Sequence, residues 1–170
     1  MQYLWGYVSA LQALAHIALE FDIQAPQQIA VITNAEPLEP HQRDVIGKAF
    51  RCPVYETYGQ CEKVAAASEC IRGRLHAWPE VGYLEILRDA DDTPANAGEV
   101  GRLISTGLLD SPMPLIRYDT GDRASVAPSD TPCPCGRSLP IITSIEGRAD
   151  DAILIEVMID RKSTRLNSSH

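Results

Sequence analysis

The feature that most restricts the fold is a change of texture at Gly59. Before it, apolar residues alternate between helical spacing and short strand-like runs; after it, short runs follow one another, separated by Gly, Pro, Asp or Asn. Leu4, Val8, Leu11, Ala15 and Ala18 recur at steps of three and four, with Gln12, His16 and Glu20 on other faces. That spacing predicts an amphipathic helix from about residue 4 to 21 and leaves His16 on the surface. Ile29 to Thr33 reads as a buried strand, which Asn34-Ala35-Glu36-Pro37 ends abruptly. Pro40 suits a helix start, and Val45, Ile46, Ala49 and Phe50 share one side of the helix that follows. Val54 to Thr57 is the next strand. Helix, strand, helix, strand is the order that a parallel sheet with covering helices requires.

In the second half, Val81 to Leu87, Arg102 to Thr106, Leu115 to Tyr118, Arg123 to Val126, Ile141 to Ile145 and Ala152 to Ile155 read as strands. The acidic run from Asp89 to Asn96 reads as a solvated hairpin tip. The expected class is therefore α/β: a partial parallel sheet with covering helices in residues 1–62, then a β-rich, distorted-barrel subdomain in residues 63–155. Residues 156–170 read as a tail outside the fold, because Arg161 to His170 hold one large apolar residue and a basic bias unlike the rest.

The 170 residues carry a formal net charge of -8, which opposes nonspecific attraction to nucleic acid or to an anionic membrane. No apolar run approaches the roughly 20 residues that span a bilayer, and no N-terminal pattern suggests secretion, so a cytoplasmic location is expected. Composition leaves the oligomeric state open. Five cysteines, an odd number in such a chain, argue against a disulfide framework and leave metal ligation or buried free thiols.

Three constellations carry chemistry. Asp119-Thr120-Gly121-Asp122 reads as a turn with two carboxylates beside a glycine, where a carboxylate can accept hydrogen bonds from both hydroxyls of a ribose or simply form the turn. Tyr55-Glu56-Thr57-Tyr58-Gly59-Gln60-Cys61-Glu62 follows a strand. Its aromatic can stack on a base, Gly59 lets a phosphate-bearing ligand approach the backbone, and Glu62 can hold Mg²⁺; the alternative is a packing tyrosine and a surface glutamate. Cys133-Pro134-Cys135-Gly136-Arg137 places two thiolates one residue apart. With Cys70 and His76 they make a Cys₃His set of the closed, structural zinc type, buried free thiols being the alternative.

Taken in order, Ala35-Glu36-Pro37, Tyr58-Gly59-Gln60-Cys61-Glu62, Pro114 to Asp122 and Gly147-Arg148-Ala149-Asp150-Asp151 resemble the adenylate-forming ligase superfamily, most closely its phenylacetate-CoA ligase branch and capsule-biosynthesis-like relatives, over about residues 6 to 155. The resemblance implies an ATP-dependent ligase that activates a carboxylic acid as acyl-AMP and passes it to coenzyme A, with small-molecule acid and nucleotide as partners. It implies that Ala35-Glu36-Pro37 borders adenine, that Tyr58 stacks on it beside Gly59 and Gln60, and that Glu62 binds Mg²⁺. Asp122 would bind the ribose hydroxyls, Arg148 would lie near ribose and phosphate, and Asp150 would be the hinge of a C-terminal lid. Leu4 to Ala15 resembles a segment that helps wall the acyl pocket, or is a core-packing helix.

Three departures accompany the resemblance. Cys61 stands where the family usually has a threonine that touches the α-phosphate, and a thiol is the weaker donor. Nothing before residue 33 resembles the phosphate loop with its lysine, and nothing after Ile155 resembles the lid. The implied identity is a fragment of an acyl- or aryl-CoA ligase, expected not to turn over alone because the leaving group is unsupported. The alternative is a non-catalytic, zinc-stabilised nucleotide-binding or interaction domain.

Overall fold

The structure, a computed structural model, describes residues 2–109 and 112–148, with Arg148 described by its backbone alone. It begins with β1 (Tyr3–Tyr7), α1 (Val8–Glu20), β2 (Ala30–Asn34), α2 (Pro40–Phe50) and β3 (Val54–Gly59). There follow β4 (Ala66–Glu69), β5 (Leu75–Ala77), β6 (Gly82–Leu87), β7 (Gly101–Gly107), β8 (Tyr118–Val126) and β9 (Ile141–Arg148). All nine strands join one sheet in the order β1-β2-β3-β4-β5-β9-β8-β7-β6. Among the described residues no helix is long and apolar enough to cross a membrane.

β1, β2 and β3 are parallel and adjacent in chain order. Right-handed crossovers between such strands place both connecting helices on one face. Leu11 and Ala15 of α1 and Ile46 and Ala49 of α2 accordingly pack with Val31 and Val54. Leu11, Val31 and Ile46 are 0–2% exposed, and full burial of such a side chain contributes about 1.5–3 kcal/mol. Pro at the start, a Glu39–Gln42 capping box and a left-handed Arg51 at the end explain where α2 begins and stops. The opposite face of these strands is open, with Tyr3, Trp5 and Tyr7 at 60%, 64% and 57% exposed.

The first predicted helix starts later than expected, because residues 3–7 form β1 instead. Leu4 and Val8 satisfy the helical spacing, but Tyr3, Trp5 and Tyr7 alternate with Leu4 and Gly6 and pair in parallel with Ala30 to Asn34. Pairing along a whole strand outweighs one extra helical turn. His16 is exposed, as expected.

β3 uses its two halves differently. Val54–Glu56 pairs in parallel with β2, whereas Thr57–Gly59 pairs antiparallel with β4. From there the sheet is antiparallel, over a second core of Ala67, Ala77, Ile86, Leu103, Ala124 and Ile142. The expected turn at Asp119-Thr120-Gly121-Asp122 lies inside β8, which runs unbroken through it. Gly121 absorbs the irregularity with φ of 75°, a left-handed value that costs glycine little. The predicted strand from Leu115 enters β8 only at Tyr118, since Arg117 has φ of 50° and breaks the extended path. β4 and β5 were not predicted. The expected Ala152 to Ile155 strand and the tail lie outside the described residues.

Candidate functional site

The loop after β3 is held rigidly where it leaves the sheet. Gln60 to Lys63 forms a turn closed by the Lys63 amide donating to the Gln60 carbonyl at 3.0 Å. Val64 is then buried against β6 and β7, and its carbonyl accepts the Ser105 hydroxyl at 2.5 Å. Gly82 faces the same carbonyl so closely that a Cβ there would sit 1.8 Å from the oxygen. Only glycine allows that approach.

This clamp brings the loop to β8. The Tyr58 hydroxyl donates to Asp122 Oδ2 at 2.6 Å, and Gln60 Nε2 donates to both the same Oδ2 and the Tyr58 oxygen, each at 3.0 Å. Thr120 fixes the other side of the bulge: its hydroxyl donates to the Leu103 carbonyl at 2.8 Å and accepts the Asp122 amide at 3.1 Å. Burial pushes the Tyr58 phenol well above its usual value, and the Asp122 carboxylate that accepts its hydrogen bond adds to the effect. Glu62 is exposed, and its Oε1 accepts the Tyr118 hydroxyl at 3.2 Å. Two segments some sixty residues apart thus meet, 58–62 from one side and Tyr118 and Asp122 from the other.

Asp119, the other carboxylate of that motif, serves the backbone. It accepts the Gly121 amide at 3.0 Å and pairs with Arg102 at 2.7 Å. The backbone of Arg148 in β9 lies directly across from Asp122. Asp150 lies outside the described residues. Gly59 and Cys61 are exposed beside this group. Tyr118 was missed in the sequence; the available signal was its place four residues before Asp122 on one strand.

The Ala35-Glu36-Pro37 turn follows β2, with Ala35 at φ of 63°. Glu36 accepts the Ser9 amide at 2.7 Å and the Ser9 hydroxyl at 2.8 Å, which fastens the turn to the electropositive start of α1. Pro37 lines a groove of about 680 Å³ with Leu38, Glu56, Leu75, Gly98 and Ile142, whereas Tyr58, Glu62 and Asp122 do not line it. Glu56 stands two residues before Tyr58 and so on the same face of β3. Burial raises the Glu56 carboxyl above its usual range, against the Leu38 amide that favours the ionised form, and nearby Glu69 raises it further.

A second cluster closes the loop between β8 and β9 onto β5. Ligand atoms of Cys70, His76, Cys133 and Cys135 all lie within 4.8 Å of one another. Zinc–sulfur bonds of about 2.3 Å and zinc–nitrogen bonds of about 2.0–2.1 Å put tetrahedral sulfurs about 3.8 Å apart and a sulfur about 3.5 Å from a nitrogen. The Cys70–Cys133 sulfurs are 3.8 Å apart and Cys135 Sγ is 3.5 Å from His76 Nε2. His76 is 0% exposed, and its Nδ1 donates to the Leu139 carbonyl at 3.2 Å, which leaves Nε2 as the ligating nitrogen. Burial opposes ionisation of Cys70, yet the Arg72 and Arg74 amides, His76 and the Cys133 thiol outweigh it and lower the thiol to about 6. The Cys135 amide favours a Cys133 thiolate, but desolvation and the adjoining Cys135 and Cys70 sulfurs carry it upward. The geometry and the donor set fit zinc. Cys52 and Cys61 stand apart.

The chain matches no protein-family model. It is 32% identical over 118 residues to protein CapK of Staphylococcus aureus, covering 69% of this chain and 25% of that protein. Over 138 residues it is 28% identical to the phenylacetate-coenzyme A ligase of Thermus thermophilus, covering 77% of this chain and 31% of that enzyme. Among solved structures, 2-hydroxyisobutyryl-CoA ligase in complex with 2-HIB-AMP and CoA in the thioesterification state superposes with a TM-score of 0.75 at 26% identity, over 88% of this chain and 33% of that one. The chain therefore spans about a quarter to a third of the length of these proteins.

Proposed function

The chain belongs to the adenylate-forming ligases, on their phenylacetate-CoA ligase-like side and over part of their length, and from that premise we propose that it supplies the nucleotide-holding part of an acid–CoA ligase. In this reading the complete enzyme activates a carboxylic acid as acyl-AMP and transfers the acyl group to coenzyme A. The observation that carries the reading is the hydrogen-bonded group of Tyr58, Gln60 and Asp122, with Glu62 beside it on Tyr118.

Asp122 accepts ribose hydroxyls, and its Oδ1 is engaged by neither Tyr58 nor Gln60. Tyr58 offers its ring to the adenine while its hydroxyl keeps the carboxylate in place. Glu62, exposed at the loop tip, is the residue to hold Mg²⁺, which when bound neutralises charge on the phosphates. Ala35 and Pro37 border the base, with Glu36 anchoring their turn to α1. Arg148, across from Asp122, belongs near the ribose and phosphate, and Asp150 at the hinge. Cys61 takes the position by the α-phosphate as a weak donor. A ligase drawing on ATP and coenzyme A belongs in the cytoplasm.

Zinc at Cys70, His76, Cys133 and Cys135 is structural in this reading, because four protein ligands leave no open position for substrate. It would tie β5 to the loop that leads into β9 and so fix the strand that carries Arg148.

Titration of AMP into the isotopically labelled chain tests the nucleotide reading. Amide shifts are expected around Tyr58, Gln60 and Asp122, weak binding is expected overall, and Asp122→Ala should remove most of it. Shifts confined to the far end of the sheet, or binding indifferent to Asp122→Ala, would refute the assignment. In a longer polypeptide carrying this segment, Asp122→Ala should raise the ATP KM for acid-dependent pyrophosphate release.

A further inference from the structure

We propose that Gln60 is a positioning residue that locks the Asp122 carboxylate and thereby makes the site selective for an intact ribose; the selectivity rests on the nucleotide reading above. Gln60 Nε2 donates to Asp122 Oδ2 at 3.0 Å and to the Tyr58 oxygen at 3.0 Å, while the Tyr58 hydroxyl donates to that same Oδ2 at 2.6 Å. Three side chains close a triangle, and both donors converge on one carboxylate oxygen.

The amide has one workable orientation. Reversed, it would set Oε1 against a carboxylate oxygen, two acceptors at hydrogen-bond distance. As placed, Oε1 is buried with no partner among the described residues. A buried, unpaired carbonyl is unfavourable, so the bonds from Nε2 to Asp122 and Tyr58 are what hold the side chain there. An ionised carboxylate has about two lone-pair sites on each oxygen. Tyr58 and Gln60 occupy those of Oδ2, and their two directions fix the carboxylate plane. Oδ1 is then presented in one direction, able to take two neighbouring hydroxyls together. Without Gln60, Tyr58 alone leaves the group free to swing about that single bond.

The test uses the labelled 170-residue chain, Gln60→Leu and the near-isosteric Gln60→Glu, which cannot donate when ionised. Scalar couplings report the Asp122 side-chain rotamer without ligand. AMP, 2′-deoxyAMP and 3′-deoxyAMP are then titrated. One Asp122 rotamer is expected in the wild type and averaging in both variants. AMP affinity should fall about tenfold in the variants, as for loss of a hydrogen bond to a charged group, with less loss for the deoxy nucleotides, so that discrimination between them collapses. An Asp122 that stays in one rotamer in both variants would overturn the proposal, as would equal losses for all three nucleotides. If the wild-type chain binds none of them, the nucleotide reading and the selectivity fail together, while the couplings still decide whether Gln60 positions Asp122.

Discussion

Gly82→Ala is the sharpest test of how the site loop is held. A Cβ at Gly82 would lie 1.8 Å from the Val64 carbonyl oxygen, 2.8 Å from its carbon and 3.0 Å from the Thr106 carbonyl oxygen. All three are backbone atoms, so no side chain can rotate away. The loop or β6 must retreat by roughly 1 Å, a strain that typically costs about 1–3 kcal/mol. Retreat of Val64 also breaks the bond from Ser105, which adds about 1 kcal/mol. The expected destabilisation is therefore about 2–4 kcal/mol, or roughly 5–15 °C in Tm for a chain of this size. Urea denaturation followed by circular dichroism measures it. Gly47→Ala is the counterpart with opposite sign: its Cβ meets only Cys52 O and Val54 Cγ2 at 3.7 Å, inside α2, where alanine gains up to about 1 kcal/mol. Gly82→Ala within about 0.5 kcal/mol of the wild type would show that Val64 does not press on β6, and the account of the loop would fall.

Zinc analysis of freshly purified protein should give one equivalent, and chelation should lower the Tm, with Cys133→Ser doing the same without chelator; substoichiometric metal and an unchanged melt would reject the site. The Tyr58 phenol is raised by burial and then by Asp122, so its protonated form is favoured in the folded state. The stability it contributes is fully present below about pH 10, where a free phenol ionises, and declines above it as the unfolded state loses a proton that the folded state retains. In a titration at 295 nm, the difference between wild type and Tyr58→Phe should show no phenolate from Tyr58 until the chain unfolds. A normal ionisation near pH 10 would contradict the buried bond to Asp122.

Much of the α/β part was legible because its signals are local. Pro40 and the spacing of Val45, Ile46, Ala49 and Phe50 mark α2 in both extent and buried side. β1 was hidden because Leu4 and Val8 continue the helical period of α1, and only pairing with β2 shows that the backbone is extended there. β4 and β5, four and three residues long, hold no β-branched or aromatic residue, so propensity says nothing about them. Asp119 to Asp122 has the composition of a turn yet sits inside β8, since one left-handed glycine can be a bulge as easily as a reversal.

The candidate site was readable as residue types and not as partners. Cys133 and Cys135 announce themselves by spacing, and they do converge with Cys70 and His76. By contrast, Ser9 on Glu36 and Tyr118 on Glu62 join positions 27 and 56 residues apart, and no local pattern encodes them. The same holds for the division of labour between the two aspartates, which depends on Arg102 lying beside one and Tyr58 beside the other.

β3 carries ladders of opposite sense on its two sides within six residues. Severing the polypeptide just beyond it would therefore yield no pair of self-sufficient pieces. The helical portion would keep an unmatched border, and the remainder would lose the template on which its first hairpin is laid down. Proteolytic nicking, split-protein reporters and permuted termini are better directed to the exposed acidic tip around Asp91, which lies between the end of β6 and the start of β7 and so leaves every strand whole.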